Sequence, residues 1–177
     1  MQHNRETLGS ASENEAKQVS ETESKDRAEV RIFPPGVPVA TILMGIGLDR
    51  FFPLRLGLPI PIRFWLGGAV VVAAVLGLGL WSVVLFRRSG QNENPWKPTP
   101  EIVDRGPFRV TRNPMYLQMV LVCIGFATIL SNAWILLLTP ACAAVLQRLA
   151  ILPEEAYLER KFGDPYLNYK RRVRRWL

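Results

Sequence analysis

The chain has 177 residues, 49% of them hydrophobic, with 22 Lys and Arg against 15 Asp and Glu, one His and two Cys. That length suits one compact unit rather than two large domains. The single histidine, His3, lies in a polar stretch, which disfavours His-based triads, His-rich zinc sites and a His general base.

Charge is unevenly spread: residues 1–33 sum to −2 and residues 34–177 to +9. The first 31 residues are rich in Glu, Ser, Asn, Gln and Lys and lack aromatics, so residues 1–33 are expected to form a disordered polar tail. No apolar run follows a basic start there, so the tail does not read as a secretory signal. Residues 34–177 are expected to form a single membrane-embedded unit.

Residues 37–54 open that unit. Only twelve uncharged residues precede Asp49-Arg50, so the segment reads as a short span or a re-entrant element. A span is favoured, because Asp49 and Arg50 can offset each other's charge at the interface. Phe64–Phe86 follows as 23 uncharged residues with Trp65 and Trp81 toward its ends, longer than the roughly 30 Å hydrocarbon core of a bilayer. Gly77 and Gly79 within it suit helix packing. Met115–Leu146 is uncharged for 32 residues, too long for one straight crossing. Ser131-Asn132 suits a turn in its middle, which predicts a hairpin crossing at 114–130 and returning at 133–152. Pro114 suits the first turn of its helix. Cys123 and Cys142 fall in these apolar runs without CxxC spacing and read as core fillers.

Two basic segments remain, 87–113 and 153–177, and the positive-inside tendency puts both on the cytoplasmic side. The expected class is therefore all-α: an integral, multi-pass helical bundle of about four transmembrane helices with a cytoplasmic C-terminal helical segment. Both termini are expected inside. Basic residues beside a membrane argue for headgroup contact rather than nucleic-acid binding. In the last segment, Pro153 followed by Glu154-Glu155 predicts a helix start, and Phe162-Gly163-Asp164-Pro165 a break.

The two segments carry an ordered set of motifs: Gly106-Pro107-Phe108, then Arg112-Asn113-Pro114-Met115-Tyr116, then Glu154-Glu155, Leu158, Phe162-Gly163, Tyr166, Tyr169, and Val173 with Arg175. In this order and spacing they resemble the superfamily of isoprenylcysteine carboxyl methyltransferases and phospholipid methyltransferases, over about residues 95–177. Two positions depart from its pattern: Asn113 stands where His is frequent, and Gln118 where Gly is usual. Asn113 can position a ligand but cannot titrate near neutral pH.

The resemblance implies S-adenosylmethionine as cofactor and methyl transfer to a lipidic or hydrophobic acceptor: an isoprenylcysteine carboxylate, a phospholipid amine or a thiol. It implies no metal. The cofactor-binding residues it points to are Arg112, Asn113, Pro114, Tyr116, Glu154, Glu155, Phe162 and Tyr166, and the catalytic ones Glu155, Tyr169 and Arg175. The chemistry of the ligand agrees. Its carboxylate suits Arg112 or Arg175, its ammonium and ribose suit Glu154 or Glu155, and its adenine suits aromatic walls such as Tyr116, Phe162 or Tyr169. An ammonium acceptor would have to give up a proton, for which Glu155 and Tyr169 are candidates. Two other classes remain open: a non-catalytic accessory protein on the same scaffold, and a small membrane reductase.

Overall fold

The structure, a computed structural model, describes residues 30, 32–90 and 101–177. Of the tail expected over residues 1–33, residues 1–29, with His3, and residue 31 lie outside them, as do residues 91–100, whereas Val30 is buried in the core with Ile32 packed against it. The described residues form helices: α1 Gly36–Phe51, α2 Ile60–Arg88, α3 Pro114–Ile129, α4 Ala133–Phe162 and α5 Asp164–Arg172. Among them there is no strand, only two isolated bridges.

At 29 and 30 residues, α2 and α4 are long and apolar enough to cross a bilayer. Helices α1 and α3 have 16 residues each, about 24 Å, short of the roughly 30 Å hydrocarbon core. Four full crossings are thus not what helix lengths alone describe. A buried core helix of a soluble protein is the competing account of α2 and α4, and their surroundings argue against it. Only 17% of the most apolar window of α2 and 33% of that of α4 is buried, and residues such as Trp65 and Leu137 face outward. The apolar surface is on the outside, as lipid contact requires.

Three elements differ from expectation, each for a local reason. Helix α2 starts four residues early, at Ile60: Pro61 falls in its first turn, where a missing N–H costs no hydrogen bond. Asp49 pairs with Arg55 at 3.2 Å and accepts the Leu54 N–H at 3.0 Å, rather than pairing with Arg50. Adjacent side chains on a helix point apart, so the loop residue is the one within reach. Pro153 starts no new helix, because α4 runs on through it. The wider turn Gln147–Ile151 immediately before it accommodates the proline ring and its missing N–H.

The hairpin forms as the sequence predicts. Ser131 takes a left-handed conformation (φ 51°), and Pro114 opens α3. Asn132 caps α4 by accepting the Ile135 N–H at 3.1 Å, while its amide donates to the Gly45 carbonyl of α1 at 3.1 Å. Replacing Asn132 with Ala removes both bonds from a buried site and is expected to cost about 2 kcal/mol. Thermal unfolding in detergent measures it; an unchanged midpoint would deny Asn132 this role.

Helices α2 and α3 meet where Gly67 and Gly125 face each other. A Cβ on Gly67 would lie 2.7 Å from the Gly125 oxygen, and one on Gly125 would lie 2.5 Å from Cγ2 of Val71. The core between α1, α3 and α4 is built from Cys123, Ala127, Ile135, Cys142, Leu146 and Ala150, with both thiols free. Gly79 is close-packed by the Gln118 side chain, whereas Gly77 meets nothing nearby.

This packing gives the bundle two distinct ends. At one, the α1–α2 loop lies on the hairpin turn: Ala133 N–H donates to the Leu54 carbonyl at 2.9 Å and the Trp134 indole to that of Phe52 at 2.6 Å. At the other, residues 101–113 and 153–177 converge.

Candidate functional site at the charged end of the bundle

Three local decisions build this end. Gly163, at φ 57° and ψ −128°, turns the chain after α4 and starts α5, whose Tyr166 and Tyr169 pack with Val173, Leu158, Phe162 and Ile102. A single tight turn, Gly106–Arg109, seats Phe108 on Phe86 with ring centroids 5.1 Å apart. The carbonyl of Phe108 accepts the Tyr169 hydroxyl at 2.8 Å, so loop and helix are joined.

The third is a two-stranded contact between segments some sixty residues apart in sequence. The Arg112 N–H donates to the Arg174 carbonyl at 2.9 Å. The Thr111 hydroxyl and the Asn113 amide both donate to the Arg175 carbonyl, at 3.0 and 3.1 Å. Asn113 therefore acts as a clamp on the C-terminal segment, a task that needs a donor and no titration.

That clamp aims two guanidinium groups at one carboxylate. Arg175 grips Glu155 with two bonds, Nε to Oε1 at 3.0 Å and Nη2 to Oε2 at 2.8 Å. Arg112 Nη1 lies 3.4 Å from the same Oε1. The Arg112 side chain is only 8% exposed and that of Glu155 5%, so the pair is shielded from water. Shared bonding to Glu155 holds Arg175 firmly in its charged form. Burial, with the nearby Glu155 charge adding to it, pushes the Tyr166 hydroxyl well above its ordinary range.

The predicted residues thus fall into four places. Arg112, Glu155 and Arg175 form one buried ion cluster with Tyr166 beside it. Tyr116 and Glu154 form a second pair, the hydroxyl donating to Oε2 at 2.9 Å. Asn113 and Pro114 shape the entry to α3. Phe162 and Tyr169 belong to the small apolar cluster under α5. The Tyr169 proton is committed to the Phe108 carbonyl, and burial pushes the hydroxyl well above its ordinary range, so this phenol stays protonated and braces the loop.

Sequence reasoning did not single out Thr111, which is wholly buried, or the bond from the Trp176 indole to Gln147 at 2.8 Å. Neither carries a motif. Both depend on contacts between distant segments.

One feature of the cluster points to a ligand. Arg112 Nε is buried and makes no hydrogen bond among the described residues, and Nη1, equally buried, has only its 3.4 Å ion contact with Glu155. A buried donor without an acceptor is costly unless something fills its place. A buried guanidinium Nε–H suits an oxygen of a carboxylate or phosphate.

The described residues define a class: a helical protein with two membrane-length helices and a cluster of charged side chains, partly buried, at one end. A sequence profile of the phospholipid methyltransferase family matches residues 62–165, more than half of the chain, and the chain belongs to that methyltransferase family. It is also similar to an uncharacterized protein of Haemophilus influenzae, 41% identical over 63 residues, or 36% of this chain and 100% of that protein.

Proposed function

We propose that the protein transfers a methyl group from S-adenosylmethionine to a lipidic or hydrophobic acceptor at the cytoplasmic face of a membrane. Family membership supports methyl transfer in general. The observation that carries the particular donor is the buried Nε of Arg112, which has no acceptor among the described residues. It is a fitting partner for an oxygen of an amino-acid carboxylate, and the Glu154 carboxylate stands nearby for an ammonium or ribose hydroxyls.

Bound there, the donor would supply an electrophilic sulfonium methyl. The chain's own residues do the rest by position. Glu155, held by two arginines, keeps both guanidinium groups in place in a low-dielectric site. Glu154, held among the described residues by the Tyr116 hydroxyl alone, is the carboxylate left to orient a cationic group or accept its proton. Tyr169 is a positioning residue that fixes the 106–109 turn. Outward-facing apolar helices let the acceptor arrive sideways from lipid, and the short helices α1 and α3 sit in the bilayer beside α2 and α4 in this reading. The basic segments at the site's end support a cytoplasmic orientation.

Equilibrium binding of S-adenosylmethionine to the detergent-purified protein tests the proposal, followed by labelled-methyl incorporation into membrane lipid and protein fractions. Arg112→Gln is expected to weaken donor binding about tenfold or more. The same change should leave thermal stability equal or higher, since it removes an incompletely satisfied buried charge. Unaltered affinity in the folded variant removes Arg112 from the site. Binding of a nicotinamide cofactor instead would favour the reductase class, and binding of neither the accessory class.

A further inference from the structure

Outside the pocket, one charged side chain sits where the packing gives it no reason to be. Arg148 lies on α4, counted from Ala133 at about 22 Å along a helix that needs roughly 30 Å to clear the hydrocarbon. It is exposed, and it falls in an outward stripe with Leu137, Ala141, Val145 and Leu152, all exposed at helical spacing. Among the described residues it makes no hydrogen bond or ion pair. A guanidinium facing lipid at that depth must reach an anion or water, because hydrocarbon offers it neither.

The surroundings narrow the choice. Trp176 is clasped to Gln147, the neighbour of Arg148, so the C-terminal segment descends along α4 from Glu155 to this level. The Trp176 ring packs against the core with its N–H committed to Gln147, which leaves Arg148 as the polar group that faces outward here. An arginine there, with apolar residues one turn below, matches the amphipathic shape of a glycerophospholipid: phosphate above, acyl chains below.

We propose that Arg148 binds the phosphodiester of a membrane phospholipid on the lipid-facing side of α4, beside the Gln147–Trp176 clasp. The site lies about two turns below Glu154 and Glu155 along α4. The binding itself does not depend on the methyl-transfer reading.

Native mass spectrometry of the full chain, released from nanodiscs of mixed phosphatidylglycerol and a galactolipid that lacks phosphate, reads this directly. The wild type should retain phosphatidylglycerol over galactolipid. Arg148→Gln should lower that retention about tenfold, and Arg148→Lys should restore part of it. Arg160→Gln, which removes an exposed charge from the far end of α4, should change nothing. Equal retention by wild type and Arg148→Gln overturns the proposal, as does an equal loss in Arg160→Gln, which would mean unspecific surface attraction. Release of the lipid by millimolar inorganic phosphate would mean a site for soluble phosphate, and would overturn the assignment to lipid. Donor binding measured on the Arg148→Gln protein is expected to be unchanged, which separates failure here from failure of the methyltransferase reading.

Discussion

Glu155→Gln should be the most damaging single substitution at the charged end. The side chain keeps its size but loses its charge, and Arg112 and Arg175 are left facing each other without the carboxylate that both approach. Breaking a buried ion pair from one side costs about 3–5 kcal/mol, most of it from the charge left behind. The C-terminal segment depends on the same contacts, since Arg175 is its anchor to α4. Both the unfolding midpoint and donor affinity are therefore expected to fall together, affinity by about a hundredfold. The contrast with Arg112→Gln is diagnostic: that variant should lose affinity while keeping stability. If Glu155→Gln melts like wild type and binds the donor equally well, the cluster is not the keystone described here.

Gly125→Leu should have the largest effect on the fold. The position tolerates no side chain: a Cβ would sit 2.5 Å from Val71 Cγ2 and 3.0 Å from the Gly67 carbonyl oxygen. A leucine cannot be relieved by a rotamer change, because the first clash is at Cβ itself, and backbone stands on the other side. Helices α2 and α3 would have to separate, with loss of the close contact that drives helix association in lipid. A cost of about 3 kcal/mol is expected from such overpacking. Gly68→Leu is the control, since its Cβ would meet nothing within 4 Å. Thermal unfolding in detergent and yield of monodisperse protein compare the two, and equal behaviour would refute the close approach.

Much of this protein was legible without coordinates, and the reason is periodicity and length. A 23-residue uncharged run and a 32-residue one leave few options for a chain that must satisfy its backbone in lipid. The turn at Ser131-Asn132 was readable because its neighbours are apolar and its own residues compete for backbone hydrogen bonds. The family, too, was legible: the ordered motifs resemble a superfamily that includes the phospholipid methyltransferases, and the family profile matches residues 62–165, which hold Arg112 and Glu155.

Boundaries were less so. The sequence predicts a helix start at Pro153, yet α4 runs on through it after the wider turn Gln147–Ile151, and α2 starts at Ile60 with Pro61 in its first turn, where no donor is missed. The partner of Asp49 was decided by the direction in which a loop folds back, which adjacency in sequence does not encode.

What sequence alone determined was the solvent in which this chain folds and the chemical character of its polar ends, since those follow from composition and order. Only the tertiary structure decided which charge meets which. Glu154 and Glu155 are consecutive and alike, yet one is held by a tyrosine and the other by two arginines. That difference comes from the pairing of residues 111–113 with 174–175, a contact between segments distant in the chain whose geometry no local pattern carries.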